Sequence, residues 1–206
     1  MYSESLVPRP QEWSHRDVNV GAWRATLSTS TLGASRLSRP IVLVSLGSLD
    51  PPRATSLYKA LDSAVRELKG TLLLRHGVPL FDRDRVQHIE HSQFGSYLSL
   101  SDAVVHHGGA GTTASAMRAG VPQVVAPFFY DQFFWADRVQ RAGLGPPALC
   151  PINLSTSSVL ERLEIALDSH MAHTVRAMAD AVRSEHGQYV AAAAIEKELF
   201  ENDIPS

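Results

Sequence analysis

Two clusters carry groups suited to chemistry. The first is Ala103-Val104-Val105-His106-His107-Gly108-Gly109-Ala110-Gly111-Thr112-Thr113. A short β-branched run ends in two histidines, then come a loop with three glycines and an alanine-rich segment from Thr113 to Ala119. The pattern predicts strand, tight turn and helix. Such a turn presents bare backbone N–H groups and the positive end of a helix dipole to whatever lies above it. Glycines permit positive φ and let a ligand approach the main chain, while Thr112 and Thr113 add hydroxyls at the helix start. This is the chemistry of a phosphate cradle. The second cluster is Pro127-Phe128-Phe129-Tyr130-Asp131-Gln132. A carboxylate accepts from adjacent hydroxyls and a side-chain amide both donates and accepts. Asp131 and Gln132 therefore suit a polyhydroxylated ring better than a phosphate, which an aspartate repels.

Other patterns resolve less sharply. Gly109-Ala110-Gly111-Thr112-Thr113-Ala114 satisfies a dinucleotide fingerprint, with Asp131 at a compatible distance. In such a site the acid ends the next strand, whereas here Pro127 to Tyr130 intervene. No lysine follows the loop, so it is not a nucleotide-triphosphate loop of the Walker type. His106 and His107 are consecutive on a strand and point to opposite faces, with no spaced Cys or carboxylate partner to make a metal set. One is expected to pack inside and the other to meet a ligand at the loop mouth. Asp82-Arg83-Asp84 copies an acidic metal-holding triplet but reads as a solvated turn. His88 with His91, and His170 with His173, read as surface or core residues, and Cys150 as a small apolar residue near a strand end.

The elements that must position these clusters follow from periodicity. The chain has 206 residues, 44% of them apolar and 19% charged, and a net charge of −2. That suits one α/β domain without the basic stripe of a nucleic-acid binder. A single cysteine excludes an internal disulfide and agrees with a reducing compartment. No signal sequence opens the chain and no apolar run is long enough to span a bilayer, so the expected location is cytoplasmic, with peripheral membrane attachment open. Residues 1–40, with Pro8, Pro10, Trp13 and Trp23, read as a linker or arm whose tryptophans dock on something, and residues 41–206 as the domain proper. Strands are predicted at Ile41 to Leu46, Thr71 to Leu74, Val86 to Ile89, Val104 to His106 and Gln123 to Ala126, with a sixth at the edge over Leu144 to Leu149. Helices are predicted over Leu57 to Leu68, Thr113 to Ala119, Phe133 to Ala142, Ser158 to Asp168, Met171 to Arg183 and Gln188 to Phe200. Their alternation implies a doubly wound parallel sheet, Rossmann-like, with ligands beyond the carboxyl ends of the strands.

His106 to Thr113, together with Ala119-Gly120-Val121-Pro122, Pro127 to Gln132 and Phe134-Trp135, resembles the C-terminal half of GT-B fold glycosyltransferases. Within these it is most similar to the sterol glucosyltransferases and the bacterial macrolide and antibiotic glycosyltransferases. The resemblance extends to Leu6-Val7-Pro8-Arg9-Pro10 with Trp13, Gly21-Ala22-Trp23 and Leu46-Gly47-Ser48. It implies a UDP-sugar donor, glucose first among the hexoses, transferred with inversion to a lipid or sterol-like hydroxyl. It implies that Ser48, His107, Gly108, Gly109, Gly111, Thr112 and Thr113 meet the donor diphosphate. Asp131 and Gln132 would hold the sugar, and the main chain around Ser92, Gln93 and Phe94 the base. Gln93 and Ser96 depart from residues common among the relatives. The base that deprotonates the acceptor is expected in an N-terminal half that this chain lacks, so no residue here is assigned to it, and neither metal nor cofactor is implied. That half would come from a separate subunit, or the chain is a fragment. Two alternatives are a module that binds the nucleotide sugar without transfer and an NAD-binding protein.

Overall fold

The computed structural model describes residues 3–14, 17–21, 37–47, 54–74, 85–90, 93–150, 152 and 154–201. Ser48, Asp82 to Asp84, His91, Ser92 and Trp23 lie outside them. Five strands form one parallel sheet: β1 (Ile41–Ser45), β2 (Thr71–Leu74), β3 (Val86–His88), β4 (Ala103–His106) and β5 (Gln123–Val125). Their order is β3-β2-β1-β4-β5. Every residue of β1, β2, β4 and β5 is buried, as continuous apolar runs covered on both faces should be.

Alternation along the strands sorts the core into layers. Val42 and Val44 face α1 (Ala54–Glu67) and α5 (Thr156–Ala166), which pack on each other over Leu72, Leu74, Val105 and Val124. Ile41, Leu43 and Val104 face the opposite way, toward α2 (Phe94–Leu100) and α3 (Ala110–Ala119). A third cluster joins Met117 of α3 to Trp135 and Val139 of α4 (Gln132–Arg141) and to Val175 and Val182 of α6 (Ser169–Arg183). Leu6 of the N-terminal segment is buried in it, and the Ser3 hydroxyl donates to Glu185. Trp13, by contrast, keeps 42% of its surface exposed. The last helix, α7 (Gly187–Glu201), leaves Tyr189, Ile195, Leu199 and Phe200 exposed.

Three expectations about the elements are corrected. Residues 144–149 are not a strand. They follow β5 through only two backbone bonds, Gln123 N–H to the Leu144 carbonyl (2.9 Å) and Leu149 N–H to the Val125 carbonyl (2.8 Å). Pro146 and Pro147 between them have no N–H to extend a ladder. Cys150, next in line, is exposed rather than packed. α2 is a helix that the periodicity does not predict, although Phe94, Tyr97 and Leu98 are spaced to make a buried helical face. α3 begins at Ala110, inside the predicted loop, so Gly111 and Thr112 are helical.

The C-terminus of α3 is tied down from α6. Gly120 ends the helix in the left-handed conformation (φ 75°), where glycine has no Cβ penalty. The Arg183 guanidinium donates to the Arg118 and Ala119 carbonyls at 2.9 and 3.1 Å, and so satisfies last-turn acceptors. The C-terminal end of α3 is thereby fixed against α6.

Candidate functional site: a glycine cradle at the sheet's switch point

Strand order reverses between β1 and β4: from β1 the chain winds outward through β2 and β3, then returns to β4 and winds the other way. The crevice outside the carboxyl ends of these two strands is where open α/β sheets bind ligands. Ser45 and His106 are register partners at that end, so Leu46-Gly47 and His107-Gly108-Gly109 leave the sheet side by side.

The His107 ring is half-buried between the two chain segments, with Nδ1 facing the Ser45 carbonyl at 3.4 Å. Two glycines make room for it. A Cβ on Gly47 (φ +81°) would stand 2.9 Å from His107 Cε1, and one on Gly109 would stand 2.5 Å from Nε2. The ring thus occupies space that side chains at either position would fill.

The N-terminus of α3 adjoins this ring. Its N-cap, Gly109, has no side chain to satisfy the first-turn donors, and Thr113 N–H to the Gly109 carbonyl (3.0 Å) is the first helical bond. The amides of Ala110, Gly111 and Thr112 therefore have no intrahelical acceptor. Gly111 is exposed, and a Cβ there would meet no atom within 4 Å. Open space, unaccepted N–H groups and a helix dipole coincide, which is what an anion requires. Thr112 is half-buried. Thr113 is fully buried and donates its hydroxyl to the Gly109 carbonyl at 3.0 Å, so it braces the loop.

The second cluster lies against the first. A Cβ on Gly108 (φ +90°) would be 2.8 Å from the Gln132 carbonyl and 3.0 Å from Val125 Cγ1, so the absent side chain allows the glycine loop to touch the start of α4. Gln132 is buried, and its Oε1 accepts from Phe128 N–H (2.7 Å) and Phe129 N–H (3.2 Å). It shapes the loop that carries its neighbour. Asp131 is exposed at the N-cap position of α4 but makes no capping bond. Its Oδ2 accepts from the Trp135 indole N–H at 3.1 Å. Tyr130, at φ 53° and 87% exposed, projects beside it.

Of the residues expected around a base, Gln93 opens α2 with its Oε1 accepting from Glu90 N–H (3.1 Å). Phe94 is buried with Ile89, Leu73 and Leu98. His88, His170 and His173 are exposed. Among the described residues no three His, Cys, Asp or Glu side chains converge as a metal set would.

Sequence reasoning divided the histidines into one packed and one at the mouth, and the structure makes the packed one His106. It is fully buried, and burial, with His107 adding to it, lowers its pKa to about 3. What the sequence reading missed is its company. Nδ1 accepts from Gly108 N–H at 3.1 Å, and Nε2 lies 3.0 Å from Gln123 Oε1. Strand periodicity marks Gln123 only as the first residue of a strand; a polar residue opening a strand buried on both faces is the available signal. Gly47 is likewise part of the ring's seat.

Residues 80–199 match the family model for the erythromycin biosynthesis protein CIII-like, C-terminal domain. A sterol 3-beta-glucosyltransferase of Arabidopsis thaliana is 30% identical over 97% of this chain and 34% of its own length. The O-mycaminosyltylonolide 6-deoxyallosyltransferase of Streptomyces fradiae is 32% identical over 95% of this chain and 48% of its own length. Among solved structures, the calicheamicin glycosyltransferase CalG4 superposes with a TM-score of 0.75 at 27% identity, covering 98% of this chain and 51% of that one. The chain thus spans about a third to a half of these relatives' lengths. By the family match over most of its folded residues and by its parallel sheet, the chain belongs to the erythromycin biosynthesis protein CIII-like C-terminal domains, the Rossmann-like donor-binding half of GT-B glycosyltransferases.

Proposed function

We propose that this chain binds a UDP-hexose, with glucose the first candidate, for inverting transfer to a lipid or sterol-like hydroxyl held by an N-terminal acceptor half. The observation that carries the reading is the His107 ring, seated between Gly47 and Gly109 at the switch point beside the uncapped start of α3. The diphosphate lies over the α3 N-terminus, taking the backbone amides from Gly109 to Thr112 and the His107 imidazole, with Ser48 as a further contact. Gly108 and Thr113 keep the loop in shape. Asp131 accepts from sugar hydroxyls, Gln132 presents it and keeps its amide N–H groups for the sugar, and the base rests near the main chain of Ser92, Gln93 and Phe94.

In the transfer, the acceptor oxygen attacks the anomeric carbon while the bond to the diphosphate oxygen breaks. The acceptor's proton passes to a base of the N-terminal half, and UDP departs. Charge builds on the leaving diphosphate, where fixed amides, the helix dipole and His107 stabilise it. A transferase also needs its base within hydrogen-bond reach of the acceptor. In this reading the acceptor half supplies that base, and this chain by itself binds the nucleotide sugar without transferring it. Among the described residues no helix is long and apolar enough to cross a membrane.

Calorimetry of the chain with UDP, UDP-glucose and NAD tests the reading. Binding of UDP and UDP-glucose without NAD is expected. NAD binding without a response to UDP would replace it with a dehydrogenase-like site, and no binding to any of the three would reject the donor role. With an acceptor half supplied, transfer that needs a divalent ion and survives His107→Ala would contradict the mechanism.

A further inference from the structure

We propose that the fully buried His106 is a positioning residue: its Nδ1 accepts the Gly108 amide and sets the left-handed turn that seats His107 and aims the α3 N-terminus, with Gln123 holding the imidazole in the required tautomer. The inference rests on the donor-binding reading for its ligand, but the geometry stands by itself.

Gly108 is buried at φ +90°, between the strand end and Gln132, and its N–H needs an acceptor there. A bond from residue i's side chain to the N–H of residue i+2 is the local turn usually made by Asn or Asp. Here an imidazole makes it. Because a ring nitrogen that accepts carries no proton, His106 is neutral with its hydrogen on Nε2, and Nε2 donates to Gln123 Oε1. His106 pairs in register with Val125, which puts Gln123 on the same sheet face one diagonal step away. Only one orientation of the Gln123 amide fits, and it leaves Nε2 without a partner among the described residues.

That orphan argues against a stability role. Two fully buried polar side chains with one donor unmatched cost more than an apolar pair of the same shape. What the pair supplies instead is direction. If His106 were protonated, Nδ1 would become a donor facing the Gly108 N–H and the turn would lose its acceptor. Burial suppresses that state except in strong acid.

The test compares His106→Asn, whose Oδ1 accepts an i+2 amide, with His106→Leu, which has no acceptor. Three readouts are taken on the full chain: thermal midpoint, hydrogen exchange at the Gly108 amide, and UDP affinity. His106→Leu should speed Gly108 exchange and weaken UDP by about tenfold, while His106→Asn holds both within about threefold of the parent even if it melts lower. Equal losses in both variants, in proportion to their melting points, would overturn the proposal in favour of packing. So would unchanged Gly108 exchange in His106→Leu. Should His106→Leu not fold, loss of Gly108 protection in His106→Asn refutes the idea and its retention supports it. If the parent chain fails to bind UDP, the donor reading falls, and the exchange comparison still decides the role of His106.

Discussion

Replacing Gly111 with alanine should raise stability and lower ligand affinity together. Gly111 is the second residue of α3, exposed, outside the positive-φ region, and clear of every atom within 4 Å of an added Cβ. Nothing in the fold requires a glycine there. A helical glycine is less favourable than alanine by up to about 1 kcal/mol, somewhat less in the first turn, so a gain of about 0.5 to 1 kcal/mol is expected. For a domain of this size that moves the melting midpoint up by about 1 to 4 °C. If the donor diphosphate fills the open space, the new methyl overpacks it at a cost of about 1 to 3 kcal/mol. The corresponding loss of UDP affinity is about five- to 150-fold. Differential scanning calorimetry and titration with UDP read the two effects on one sample. A stabilised variant with unchanged affinity would show that the ligand does not lie over Gly111. A destabilised one would refute the claim that the fold leaves that space empty. Gly109→Ala is the companion: its backbone (φ −68°, ψ 138°) suits alanine, but the Cβ drives into His107 Nε2, so affinity should fall without any gain in stability.

Asp131→Ala should weaken UDP-glucose by about ten- to a hundredfold, the worth of a hydrogen bond to a charged group, and leave UDP nearly unchanged. It also removes the acceptor of the buried Trp135 indole, so Asp131→Asn, which keeps one, separates sugar recognition from stability; equal losses for both ligands would end the sugar assignment. Gln132→Ala strips two loop amides of their acceptor and should destabilise the chain by about 2 kcal/mol in urea unfolding, whereas Gln132→Glu, still an acceptor, should lose less. For His106 the folded pKa lies below the unfolded value, so the unfolded chain binds the extra proton as pH falls. Its contribution is intact above about pH 6.5 and declines toward pH 3, with a slope of up to about 1.4 kcal/mol per pH unit. His106→Asn should flatten that part of the profile, and an unchanged slope would contradict a buried neutral histidine.

Local pattern was enough for the parallel α/β class. Ile41 to Ser45, Thr71 to Leu74 and Ala103 to His106 are too uniformly apolar for a half-exposed strand, and glycine or proline ends most of them. The two polar clusters stand out in the sequence for a similar reason, because glycine spacing and an Asp-Gln pair are local facts. The short strand-like run at 144–149 misled, since periodicity does not register that two prolines remove the donors a ladder needs. α2 escaped because seven residues carry little periodic signal. What only the tertiary structure decided is how the clusters work. Ser45 and His107 are 62 positions apart, and His106 and Gln123 are 17 apart, yet strand register brings each pair within hydrogen-bonding range. Alternation says that consecutive histidines face opposite ways, but not which one finds a buried amide partner and which finds a seat between two glycines. That choice depends on which strands become neighbours and which helix covers each face, and no local spacing encodes it.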